Sequence, residues 1–320
     1  MSREQTIPVL DLKDFTSGSS QTQKKFVEDL GRALNDIGFF ALENHGINPG
    51  LIDRAYGVCQ KFFELSANTK QKYEDLTIKG QRGFTSFGRE HAKDNPNPDL
   101  KEFWHVGREL KQGRTYPEPY PANLWPSEVS EFKPTMLELY EQLEACALSL
   151  LDACSLYIDE DRYFLRESAT DGNSILRVIH YPPIPETANA ASIRAAAHED
   201  INLITLLCES TADGLELLQR DGQWRPIRSL RGQIIVDSGD MIQNLTNGLI
   251  KSTTHRVVNP DNSKDRRFSM PFFVHPKSSF DLSPRQNSIR RTGGKKLYPD
   301  ITAGQYLDQR LNEIGLKAKK

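Results

Sequence analysis

Apolar positions in the first half of the chain recur at helical spacing. From Lys24 onward, Phe26, Val27, Leu30, Ala33, Leu34 and Ile37 share one face, and Gly38 supplies the stop. Asn48-Pro49 reads as an N-cap followed by proline at the first helical position, opening a helix that carries Leu51, Ile52, Ala55, Cys59, Phe62 and Phe63. The longest predicted helix begins near Ser127 and presents Phe132, Met136, Leu139, Leu143, Cys146, Leu150 and Cys154 as one apolar face to lay against a sheet. A short strand is expected over residues 7–11.

After about Asn173 the texture changes. Short β-branched runs alternate with turn signals, predicting strands over 175–181, 202–207, 215–218, 233–236, 255–258 and 268–274. Asp221-Gly222 and Asn247-Gly248 are both two-residue hairpin signals. Strands at this spacing point to a β-sandwich or jelly roll rather than to βαβ units. No GxGxxG or phosphate-loop glycine pattern stands at a strand–helix junction, which argues against a nucleotide fold. The expectation is a mixed, β-core single domain over 1–320. Residues 1–170 form a mainly helical layer, 171–280 a jelly-roll core, and 281–320 a C-terminal tail and helix.

Composition narrows the partners. The 320 residues are 37% hydrophobic and 26% charged, with a net charge of -2 and a pI near 6.4. That balance argues against a nucleic-acid or anionic-membrane surface. Lys317, Lys319 and Lys320 read as a solvated tail. Met1 to Gln5 is polar, without a signal-peptide core, and no apolar run approaches the roughly 20 residues of a membrane span. Cys59, Cys146, Cys154 and Cys208 lie mainly in apolar stretches without a CxxC pair, as buried thiols of a reducing compartment do. Cytoplasm is the expected location.

The informative stretch is Ala195-Ala196-Ala197-His198-Glu199-Asp200. On a strand, His198 and Asp200 point together while Glu199 points away, so an imidazole and a carboxylate can meet one metal ion. His-x-Asp alone is a weak signal. Fifty-five residues after Asp200 stands His255, within Thr253-Thr254-His255-Arg256-Val257. Two histidines and a carboxylate form the facial triad of non-haem Fe(II) oxygenases, with positions open for a bidentate cosubstrate and dioxygen. A histidine satisfied in the core would look the same. Twelve residues on, Arg267-Phe268-Ser269 puts a guanidinium and a hydroxyl on one strand face. A buried arginine needs an anion. A dicarboxylate reaching in from the metal would supply it through paired hydrogen bonds; a protein carboxylate such as Asp240 is the alternative. Tyr181 either donates a hydroxyl to the same anion or simply ends a strand before Pro182-Pro183.

The order Tyr181, His198-x-Asp200, His255, Arg267-x-Ser269 resembles the Fe(II)/2-oxoglutarate oxygenases of the isopenicillin N synthase-like family. So do Ile7-Pro8-Val9-Leu10-Asp11-Leu12, Gly38-Phe39-Phe40, Asn44-His45-Gly46, Leu245-Thr246-Asn247-Gly248 and His255-Arg256-Val257, over about residues 7 to 275. The resemblance implies a double-stranded β-helix with the metal in one mouth. It implies Fe(II) on His198, Asp200 and His255, chelated by 2-oxoglutarate whose distal carboxylate meets Arg267, Ser269 and Tyr181. Dioxygen takes the remaining position, and a small organic substrate is hydroxylated, desaturated or cyclised. His45 reads as a structural turn residue and His180 as facing away from the cosubstrate. His91 and His275 belong to no motif.

The stretch 82–88, followed by 100–108, resembles the part of the family that lines the substrate mouth, which implicates Phe84, Phe103 and His105. By that pattern Phe103, His105 and Gly107 face inward, with Glu102, Trp104 and Arg108 on the other side. Bulk alone argues the reverse, with Trp104 buried and His105 at an exposed edge. Two other functions remain open. One is an oxidase of the same fold that does not consume 2-oxoglutarate, closing a ring or forming ethylene. The other is a metal-binding protein that does not oxidise, a hydrolase or a sensor. Arg267-x-Ser269 argues against the latter, because a hydrolytic zinc site needs a water and a general base, not a clamp for a distant carboxylate.

Overall fold

The structure, a computed structural model, describes residues 6–78, 80–89, 99–184, 186, 192–228, 230–260, 262 and 264–313. His91 and the terminal lysines fall outside them. Among the described residues the strands are β1 Val9–Asp11, β2 Phe39–Glu43, β3 Gly83–Thr85, β4 Glu102–Gly107, β5 Ile175–Tyr181, β6 Ala195–His198 and β7 Ile204–Leu207. They continue with β8 Leu215–Leu218, β9 Trp224–Pro226, β10 Ile234–Ser238, β11 His255–Val257, β12 Arg267–Ser269 and β13 Pro271–Val274.

Two sheets result. The major one runs β1-β2-β10-β7-β13-β5-β4-β3, with β12 also paired to β5; the minor one runs β6-β11-β8-β9. Phe39, Ala41, Phe103, Ile179, Tyr181 and Ile235 of the major sheet meet Ala195, Leu215, Leu217 and Val257 of the minor sheet in one apolar cluster. This is the jelly-roll interior. The outer face of the major sheet is covered by the helices Ser20–Asp36, Pro49–Phe63 and Phe132–Tyr157, which share a second, larger core with it. The N-terminal half is therefore not only a helical layer: β1 and β2 extend the major sheet at one end, and β3 and β4 at the other.

Local chemistry sets the helix ends. Ser19 caps Ser20–Asp36 through its hydroxyl, which accepts from Thr22 N. Gly38, at φ 80°, closes it by donating its amide to Ala33 O. Asn48 Oδ1 accepts from Gly50 N, and Pro49 follows at the first helical position. Asp221-Gly222 forms the expected hairpin between β8 and β9. Asn247-Gly248 does not. Both residues have positive φ, 52° and 82°, but they terminate the helix Asp240–Leu245, with Gly248 N donating to Gln243 O. A helix C-terminus uses the same left-handed backbone as a tight hairpin, so the dipeptide cannot distinguish them.

Strand β4 divides the two cores. Trp104 is fully buried under the helices, its ring 4.7 Å from Phe62 and 5.2 Å from Phe132. Phe103, on the opposite face, belongs to the cluster between the sheets. Trp104→Ala removes a large side chain from the helix-facing core and should lower stability by about 3–5 kcal/mol in urea unfolding. A loss below about 1 kcal/mol, the level of surface substitutions, would contradict this placement.

Candidate metal centre

His198 ends β6 and His255 begins β11, and the antiparallel register sets them opposite one another on the minor sheet. Asp200 follows β6 by two residues. Its backbone is gripped by the start of the helix Asp240–Leu245, where Asp240 N donates to Asp200 O over 2.7 Å. Gly239 is required there, since a Cβ would lie 2.8 Å from that same carbonyl oxygen. The ligand atoms of His198, Asp200 and His255 lie within 4.8 Å of one another. Both Nε2 atoms stand 3.9 Å from Asp200 Oδ1.

The protonation pattern suits a metal. His198 Nδ1 faces Ala196 O at 2.7 Å, and His255 Nδ1 faces Thr253 O at 3.2 Å. A carbonyl can only accept, so each Nδ1 carries a hydrogen, which makes Nε2 the atom that bears the lone pair whenever the ring is neutral. Burial, then the neighbouring His198, lowers the His255 pKa to about 4, so that ring is neutral at physiological pH. Its edge packs on Phe39 at 5.5 Å. His198 is the more open ligand, with 34% of its side chain exposed.

Asp200 has two supports that the sequence does not advertise. Thr205 on β7 donates its hydroxyl to Oδ2. Asp237, on the neighbouring β10 and paired in register with Thr205, is buried and hydrogen-bonded to the Asp200 carboxylate. Burial, then the Asp200 charge, raises the Asp237 pKa well above the ordinary carboxyl value, so Asp237 is the protonated donor of the pair. A folded state that retains a proton the unfolded chain releases loses stability as pH rises above the unfolded value near 3.9. Asp237→Asn keeps a donor and removes that dependence. The metal-free variant should exceed wild type in stability at pH 8 by about 1–3 kcal/mol, the scale of one uncompensated buried polar group. The gain should shrink as pH falls toward 4, followed by urea unfolding across that range. Equal stability at both ends would count against a protonated Asp237.

The second cluster lies along β5 and β12. Arg267 is opposite Tyr181 and Ser269 opposite Ile179. Arg267 is 1% exposed; its Nε donates to Ala212 O and its Nη1 to Ser269 Oγ, and its guanidinium lies 5.1 Å from the Tyr181 ring centre. Among the described residues no carboxylate pairs with it. Asp240, the alternative partner, pairs with Arg310 instead. A buried guanidinium held only by neutral oxygens fits an anionic ligand.

Phe103 and His105 share the inward face of β4, with ring centres 4.8 Å apart. His105 is not at an exposed edge: it is 6% exposed, its Nδ1 donates to Gly80 O and its Nε2 accepts from Arg177 Nε, both over 2.6 Å. Phe84 departs from expectation. The β3–β4 register sets it opposite Trp104, so it faces the helices and packs on Phe62 at 5.8 Å, while Gly83 and Thr85 take the inward face. Phe84 is core, not substrate wall. His180 turns outward, stacking on Phe268 at 4.6 Å and donating from Nδ1 to Glu102. His45 accepts from Ile47 N in the turn after β2. His275 packs at the end of β13 with Nδ1 near Phe273 O, within electrostatic reach of Asp200.

Comparison with known proteins agrees with this geometry. Residues 7–128 match the family described as the non-haem dioxygenase in morphine synthesis N-terminal region, and residues 172–276 match the 2OG-Fe(II) oxygenase superfamily. A 2-oxoglutarate-Fe(II) type oxidoreductase of Aspergillus fumigatus is 30% identical over 85% of this chain and 83% of its own length. The crystal structure of a 2OG-Fe(II) oxygenase family protein from Caulobacter crescentus superposes with a TM-score of 0.85 at 37% identity, covering 97% of this chain and all of that one. A full-length Neurospora crassa protein, solved in complex with α-ketoglutarate (2-oxoglutarate), superposes with a TM-score of 0.84 at 26% identity, covering 98% and 97%. Among the described residues no helix is long and apolar enough to cross a membrane. The chain belongs to the 2-oxoglutarate–Fe(II) oxygenase superfamily and is an Fe(II)- and 2-oxoglutarate-dependent dioxygenase.

Proposed function

We propose that His198, Asp200 and His255 hold the Fe(II), that Arg267, Ser269 and Tyr181 receive the distal carboxylate of 2-oxoglutarate, and that Phe103 and His105 border a small organic substrate. The 320 residues then act as one oxygenase domain. The observation that carries the reading is the pairing of two features. Three metal-ready ligand atoms converge, and a buried guanidinium that has no carboxylate partner among the described residues lies on the facing sheet.

When bound, iron and 2-oxoglutarate activate dioxygen, with 2-oxoglutarate leaving as succinate and carbon dioxide. The chain's own work is binding, orientation and exclusion of water. The Nδ1 donors of His198 and His255 hold the rings with Nε2 toward the metal. Thr205 engages Asp200 Oδ2, leaving Oδ1 for the ion. Phe39, Ile179 and Val257 wall the interior with apolar surface, so the Arg267 charge acts in a dry pocket where it is strong. The Neurospora crassa protein has also been solved with thymine beside α-ketoglutarate. A substrate of that small, compact class suits an interior reached past one half-open histidine.

The test is anaerobic addition of Fe(II) and then 2-oxoglutarate, followed by admission of oxygen. A metal-to-ligand charge-transfer band should grow with 2-oxoglutarate, and succinate should appear in step with oxygen consumed. Oxidised product without succinate would move the protein to the oxidase alternative. A metal-loaded protein with neither band nor oxygen uptake would mean it binds without oxidising.

A further inference from the structure

A second arginine stands beside the Tyr181 ring. Arg194, immediately before β6, is 1% exposed, and its guanidinium lies 5.8 Å from the Tyr181 ring centre, where that of Arg267 lies 5.1 Å away. Its Nη2 donates to the backbone carbonyl of Asp265, two residues before Arg267. Its Nε is buried without a hydrogen-bond partner. Burial, then the Arg267 charge, holds Arg194 below its ordinary pKa; the Asp265 carboxylate offsets this only in part. Among the described residues neither arginine has a carboxylate within ion-pair distance. Two like charges are thus buried around one aromatic ring, an arrangement that is costly unless an anion joins them.

We propose that Arg194 is a second cation of the cosubstrate pocket, so that the distal end of 2-oxoglutarate is received by two guanidiniums rather than by Arg267 alone. This rests on the placement of 2-oxoglutarate given above and extends it. Arg267 supplies the directional contact, with Ser269 and Tyr181 beside it. Arg194 supplies field: its charge favours a ligand that ends in a carboxylate over one that ends in a methyl group. It also braces the segment from which Arg267 projects, through the Asp265 carbonyl. Arg194 is therefore a specificity-determining residue for the cosubstrate.

The test uses full-length protein loaded anaerobically with Fe(II), and two probes. One is 2-oxoglutarate; the other is pyruvate, which keeps the chelating 2-oxo acid and lacks the distal carboxylate. Dissociation constants are read from charge-transfer titrations. Arg194→Met should weaken 2-oxoglutarate about tenfold, one buried charge interaction's worth at 1.4 kcal/mol per decade, while pyruvate and Fe(II) binding shift less than twofold. Arg194→Lys should restore most of the affinity. A second arm leaves Arg194 in place and so does not depend on that variant folding. In Arg267→Met, 2-oxoglutarate should still bind at least several-fold more tightly than pyruvate, because one guanidinium remains. Loss of all preference in Arg267→Met, or an unchanged 2-oxoglutarate constant in Arg194→Met, overturns the proposal. Equal weakening of both probes in Arg194→Met overturns it too, as that is plain structural damage. A wild-type protein that shows no band with 2-oxoglutarate would instead overturn the cosubstrate site itself.

Discussion

His255→Ala yields a folded protein that has lost tight Fe(II) binding and turnover together. His255 contributes one of three converging ligand atoms, and its Nε2 is positioned by the Nδ1 hydrogen bond to Thr253 O. Outer-shell partners of metal ligands typically cost 10–100-fold in affinity when removed; loss of a ligand itself should exceed about 100-fold. Folding survives because the ring stands at the edge of the inter-sheet cluster, not at its centre. It contacts Phe39 and His198, while Val257, Leu215 and Leu217 hold the sheet beneath it. Metal content per chain, a Co(II) titration and circular dichroism make the measurement. A variant that keeps wild-type iron content and activity removes His255 from the site.

The parts of the fold readable from the chain were those where one local period decides the outcome. Strands β5 and β8 fall at the expected residues because alternation and flanking turns coincide there. The run 202–207 narrows to Ile204–Leu207, since Asn202 turns its side chain back onto Ile204 O and Thr205 Oγ1 and takes the first residues into a bend. The run 268–274 becomes two strands: Arg267–Ser269 pairs with β5, and Pro271–Val274 pairs with β7 as well. Phe268 and the apolar run Pro271–Val274 read as one continuous strand, so composition carries no mark of the break at Met270. Phe84 shows the same limit. Its strand alternates correctly, but which face is inward depends on register with β4, a contact about twenty residues away.

At the site, the His198-x-Asp200 spacing pointed to one strand face, but β6 ends at His198, and Asp200 is placed beyond it by the hydrogen bond from Asp240 N to its carbonyl. The residues that tune these ligands were not legible. Thr205 and Asp237 are ordinary strand positions in sequence; only the pairing of β7 with β10 brings them to the Asp200 carboxylate. Asp237 has one weak local signal: an acid directly after the apolar run Ile234-Ile235-Val236, at a strand position where a charge would need an explanation. Arg194 has a similar one, lying just before the alanine run that leads into His198.

Arg267→Ala separates cosubstrate from metal. The guanidinium belongs to β12, across the interior from the strands that carry His198 and His255, so its removal leaves the three ligand atoms and their supports untouched. Its own contacts are Ala212 O, Ser269 Oγ and the Tyr181 ring, none of which reaches a metal ligand. The expected result is a 2-oxoglutarate requirement raised by about 1.5–3 kcal/mol, the range of a hydrogen bond to a charged group, or roughly ten- to a hundredfold in concentration. Fe(II) affinity should stay near wild type. Stability should hold or rise, because a buried charge that awaits a ligand costs the metal-free, ligand-free protein free energy. Substituting lysine should recover only part of the loss, since an ammonium cannot reproduce the paired geometry of a guanidinium on a carboxylate. Parallel titrations of Fe(II) and of 2-oxoglutarate decide the matter. If both affinities fall together, Arg267 supports the fold of the interior rather than the cosubstrate; if neither falls, the distal carboxylate lies elsewhere.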